Sequence, residues 1–474
     1  MFNKDGPTFI RKREYSINQK IYLLSRICFF SFYACMTATQ SKLTEVKIRR
    51  FFFTAASSNQ STISEPCLLL LSSEKEWRCM VFNDEGYFKV LPFTPSLPPQ
   101  DNTIISGSTK LSSSSAIIDW NDGTIYLNQD AGDYILHDEQ RKSRSKISGE
   151  KKGIGKKVAL LVRVTTNDAT VTRNGNELSD KWFGTSGDQM NMSSRFNECS
   201  YGKLRIQPAP DTSVISNGVV EVKLNINAFE KTIDRAESLT VVALQKLFGQ
   251  NVYNKYDHIM IVLPLGFKDS FFAHGYLNFS ISSYSDEQSS YLSVQMREIG
   301  HNLGLSHSGI LAGPIEKRKY GDTSGYMGKS YGLDDGLRMC FNGPHSWKLG
   351  WYRNSHVTVN PLTKKWTGNL AGISNYVESG TRNVLVKIVG DRSEDFYINF
   401  NRSTGINSQT KFGRNKVLVT RQNKGSDLST TIVQNLIAGQ QATLKNFLGS
   451  GRNVYIKVGK IANSARVSIW ASPY

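Results

Sequence analysis

The residues best able to do chemistry lie in Gln295–Ser308, QMREIGHNLGLSHS. Glu298 and His301 are three apart, so they share one helical face. Gly304 follows His301 by three positions and His307 by six. A straight helix cannot aim both imidazoles at one point. A left-handed residue at Gly304 ends the helix and brings His307 back toward His301. Two converging imidazoles with an open position beside them suit zinc. A neighbouring carboxylate, Glu298, would take a proton from metal-bound water and deliver it to the leaving amine.

A second segment points the same way. Twenty residues after His307, the stretch YGDTSGYMG sets Met327 in a Gly-rich turn. Metzincin proteases follow their third histidine with a tight turn whose methionine underlies the metal. EIGHNLGLSHS, YGDTSGYMGKSYG, and MCFN followed by SWKLGW together resemble the gametolysin-type metallopeptidases, peptidase family M11 of the metzincin clan, in the form found in algae and diatoms. The resemblance extends over VALLVRVTTNDA, FGTSGD, CSYGKL and FNRSTGINS, about 155–474. It implies a secreted zinc endopeptidase, one Zn2+ per chain, acting on matrix or cell-wall glycoproteins. By position Glu298 would be the general base, His301 and His307 zinc ligands, and Met327 the Met-turn.

One position departs from the family pattern. The motif has His, or in some members Gln, where this chain has Arg297. Arg has no lone pair to give and keeps its proton in proteins. Two imidazoles alone leave a catalytic zinc site one ligand short. Three readings stay open. The site recruits another donor, such as His274, Asp322 or a water. Or it is metal-free, with Arg297 paired to Glu298 or another carboxylate. Or the residue is a sequence error or an allele, since His and Arg codons can differ by one base. The alternative function is therefore a lapsed peptidase that binds proteins or glycoproteins in the old cleft.

The elements that must position these residues follow from pattern. VALLVRV and HIMIVLPLG read as strands buried on both faces. AESLTVVALQKLFG reads as a helix with Leu239, Val242, Ala243 and Leu247 at helical spacing, ended by Gly249. The expected fold is an α+β or α/β, metzincin-like peptidase domain over 158–355. Short strand-like runs over 41–138 predict a β-rich, propeptide-like or accessory unit. A further all-β, sandwich-like domain is expected over 356–474. Between the first two lies a basic linker, 139–157. It contains RKSR, in which Arg141 and Arg144 form a candidate processing site.

The 474 residues carry 58 Lys and Arg against 40 Asp and Glu, a net charge of +18. Most of that excess sits in 1–50 and in the linker, so it marks a leader and a linker instead of a nucleic-acid face. Residues 1–40 run basic, apolar, then small, the order of a secretory signal peptide or signal anchor. The expected location is extracellular, or membrane-anchored if the leader is not cleaved. The expected partner is a protein or glycoprotein substrate, and the expected state a monomer. Sequons at Asn59, Asn191, Asn278 and Asn401 fit a secreted glycoprotein. Cys199 and Cys340 flank the motif segments and are candidates for a disulfide, as are Cys67 and Cys79.

Overall fold

The computed structural model describes residues 152–424 and 428–473, and ahead of them short stretches between 60 and 138. The leader, the RKSR site of Arg141 and Arg144, and Asn59 lie outside the described residues. The fold is mixed α/β, with a small β unit in front and a β-rich C-terminal part.

The middle sheet positions the site. Its central strand is Gly155–Thr165, GKKVALLVRVT. It pairs in parallel with Val219–Lys223, with His258–Leu263 and, over its first half, with Leu204–Pro208. His258–Leu263 pairs in parallel with Ile281–Ser285, and Ala273–Gly275 runs antiparallel along that strand. Side chains alternate between the two faces. Ala159, Leu161, Met260 and Val262 belong to one core; Leu160, Val162, Val164, Ile259 and Ile261 belong to the other. A largely parallel sheet needs cover on both sides. Helices Gly175–Phe183, Met192–Cys199 and Leu292–Asn302 contribute to the first core, and Ile233–Phe248 to the second.

Ile233–Phe248 forms as expected, with Thr232 accepting at its start and Gly249 at its end. Of the apolar positions at helical spacing, Val242 is buried and Leu239 and Ala243 pack partly against the core. Ile233, Ala236, Val241 and Leu244 turn inward, while Leu247 is exposed. The polar Glu237 is fully buried on that face. It pairs with His274 at 2.7 Å, and a partnered carboxylate is what makes such burial tolerable.

The leading β unit is an eight-stranded sheet, antiparallel but for one pair. Cys67 and Cys79 on its neighbouring strands Cys67–Leu71 and Trp77–Val81 are joined by a disulfide. The C-terminal part has sheets of six and four strands over a shared core that includes Val386, Ile398, Val419, Ile456 and Val467. The division expected at 355 is crossed by one strand. Ser308–Ile310, immediately after His307, pairs in parallel with Thr430–Leu436 of the six-stranded sheet. Among the described residues, no helix is long and apolar enough to cross a membrane.

Candidate metal centre

The helix Leu292–Asn302 is buried along its whole length. Its end is built as the spacing requires. Gly304 has φ +88°, and the amides of Gly304 and Leu305 donate to His301 and Gly300. The Leu305 carbonyl then meets His301 Nδ1 at 2.8 Å, fixing the ring. His301 and His307 come together with ring centroids 4.9 Å apart at 79°. Glu298 Oε2 lies 3.9 Å from His301 Nε2. The structure therefore sets His301 beside both Glu298 and His307. His307 is backed by the Tyr320 ring at 4.6 Å.

Arg297 occupies the same place. Only 3% exposed, it lies with Nε 3.4 Å from Glu298 Oε1. Its Nη1 donates to the carbonyls of Met327 at 3.0 Å and Gly328 at 2.9 Å. Its guanidinium lies over the rings of Tyr320 and Tyr331. Two carbonyls, a carboxylate and two aromatic faces all favour a cation here, and the cation present is covalently part of the chain.

Met327 sits in the turn the sequence indicated. Its sulfur packs beneath the helix, 2.7 Å from where a Cβ on Gly300 would stand. The turn is tightly drawn. A Cβ on Gly328 would lie 1.9 Å from the Asp322 carbonyl oxygen, which is backbone and cannot rotate away. Gly328→Ala is expected to cost about 3 kcal/mol or more through this overlap, read as a fall in the urea midpoint. An unchanged midpoint would show that the turn has slack.

The substitute donors named from sequence are committed elsewhere. The carboxylate of Asp322 accepts from Ser308 Oγ at 2.5 Å, from Ser324 N and from Asn342 Nδ2, the last two at 2.9 Å. Asn342 Nδ2 also donates to Thr430 Oγ1 at 3.1 Å. This buried knot ties the turn to the C-terminal sheet, and nothing in local sequence signalled Thr430. His274 pairs with Glu237, not with His301. His345 is buried at the far end of the segment, and burial together with Lys348 pushes its pKa down to about 3, so it stays neutral. Among the described residues, no three of His, Cys, Asp and Glu converge as a metal would need. The donor set, two imidazoles with a fixed cation at the third position, does not fit a catalytic zinc.

Cys199 and Cys340 form a disulfide. Above it the buried Arg195 donates from Nη2 to the carbonyls of Met339 at 2.8 Å and Ile406 at 2.7 Å. The sequons fare differently. Asn401 donates to Thr410 Oγ1 and to the Phe412 carbonyl, and Asn191 caps a helix, both nearly buried. Both side-chain amides are thus engaged within the fold. Asn278 is partly buried in the turn against Gly304.

Residues 163–388 match the family described as Gametolysin peptidase M11. No curated protein matches the chain.

Proposed function

With residues 163–388 belonging to the gametolysin M11 peptidases, a metallopeptidase family, we propose that this chain keeps a metzincin-like peptidase scaffold but has exchanged the catalytic metal for the Arg297 guanidinium. It then binds extracellular-matrix or cell-wall proteins and glycoproteins without hydrolysing them. The observation that carries this reading is the seating of Arg297: buried beside Glu298 and held by the Met327 and Gly328 carbonyls. A guanidinium at that point repels a dication and offers it no lone pair. Secretion is supported by the leader pattern and by two disulfides, which persist in oxidising compartments.

A second reading has one observation behind it. His301 still lies beside both Glu298 and His307, and a metalloendopeptidase using Glu298 as general base needs all three. That reading requires Arg297 to leave and a new donor to arrive. The test is zinc content and casein cleavage of the purified full chain after dialysis against micromolar zinc. Well under one zinc per chain and no cleavage above a buffer control is the expected result. One tightly held zinc, with cleavage lost on chelation, overturns the proposal in favour of the hydrolytic reading.

A further inference from the structure

The leading β unit has a second relationship to the peptidase unit besides the chain linking them. The sheet face opposite the candidate centre is covered by the helix Ile233–Phe248 and also by side chains from the leading unit. Leu68, Leu70 and Met80 join the same core as Leu160, Val162, Ile259 and Ile261, and Leu70 and Met80 are fully buried. The backbone joins as well. Leu277 N donates to the Leu71 carbonyl at 2.9 Å, and Ser72 pairs antiparallel with Tyr276, next to the edge strand Ala273–Gly275.

A charged pin passes through this contact. Arg78, 6% exposed, reaches Asp234 in the first turn of that helix at 2.5 Å. Glu237 lies one turn further, joined to His274 at 2.7 Å and accepting from Tyr276 Oη at 2.8 Å. Burial alone would raise the Glu237 pKa. The positive charges of His274 and Arg78 hold it below the usual carboxylate range. Removing Arg78 would take one positive charge from the buried Glu237 and leave the partly exposed Asp234 beside it without its partner, and buried charge that loses a partner is strongly destabilising.

We infer that strands Cys67–Leu71 and Trp77–Val81 are a permanent wall of the peptidase unit, so that a cut in the basic linker yields a two-piece protein instead of a released propeptide. The inference is independent of whether the centre hydrolyses anything. The Cys67–Cys79 disulfide is internal to the leading unit, so the docking tested is non-covalent.

The test replaces residues 143–148 of the full chain with the recognition sequence of a site-specific protease. The chain is then cut, and the product is run on gel filtration at neutral pH. Co-elution of both pieces at the volume of the uncut protein is expected, persisting on dilution to nanomolar concentration. Arg78→Met keeps the apolar stem and removes the charge. In the cut protein it is expected to weaken the association roughly 100-fold or more. Circular dichroism of uncut Arg78→Met checks that it folds. Should it not fold, dilution of the cut wild type decides alone. Separate elution of the wild-type pieces overturns the inference, whether the larger piece stays folded or aggregates.

Discussion

Arg297→His is expected to convert the centre into one that holds zinc. The substitution removes a fixed positive charge and supplies a third imidazole at the position from which the helix already aims Glu298 and His301. Loss of a residue that merely orients a ligand costs roughly 10–100-fold in metal affinity. Gaining a ligand outright, while removing a repelling cation, should exceed that range. At zinc concentrations about 1,000 times the dissociation constant, binding would add about 4 kcal/mol to stability. Zinc should therefore raise the Tm of Arg297→His and leave the wild type unmoved. Casein cleavage should appear only in the variant, and Arg297→Leu, which removes the charge without supplying a lone pair, serves as the neutral control. The metal-free variant should be less stable than wild type by about 1–3 kcal/mol, because the Met327 and Gly328 carbonyls lose their donor. Equal zinc binding by wild type and Arg297→His would sink the argument. So would no binding by either, since the imidazoles would then not be placed as the ring geometry indicates.

Loss of the Cys199–Cys340 disulfide carries the second large effect. The bridge spans 141 residues and encloses every strand of the middle sheet except its central Gly155–Thr165, together with the helix Ile233–Phe248, the site helix and the turn bearing Met327. In the chain-entropy treatment, a closed loop of that size is worth about 5 kcal/mol, and measured losses run about 2–5 kcal/mol. Cys340→Ser should lower the urea midpoint accordingly. It should also raise susceptibility to proteolysis around 339–342, where the Arg195 guanidinium rests on the Met339 carbonyl. The double variant Cys199→Ser with Cys340→Ser should be no worse than either single change, because both remove one bond. Additive losses would mean that the two sulfurs act separately.

Much of the centre was legible in the chain itself. Spacing alone put Glu298 and His301 on one helical face, made Gly304 the turning point and set His307 opposite, because helical period and left-handed φ are local properties. The strands VALLVRV and HIMIVLP were legible as buried on both faces, because apolar residues fill four or more consecutive positions in each. The inward face of Ile233–Phe248 was only partly legible: Leu247 fits the apolar spacing yet is exposed, and Glu237 is buried. Glu237 looks solvent-facing until His274, far along the chain, is beside it.

What the sequence determined by itself is the family pattern, the local geometry of the helix and its turn, and the fact that position 297 offers no ligand. Only the tertiary structure decided what Arg297 does instead. Its partners, the carbonyls of Met327 and Gly328 and the rings of Tyr320 and Tyr331, come from a loop more than twenty residues on. The commitment of Asp322 to Ser308 and Asn342, and the seating of Leu70, Met80 and Arg78 on the far face of the sheet, were likewise decided there. Contacts between distant segments depend on how layers stack, and no periodicity along the chain encodes that.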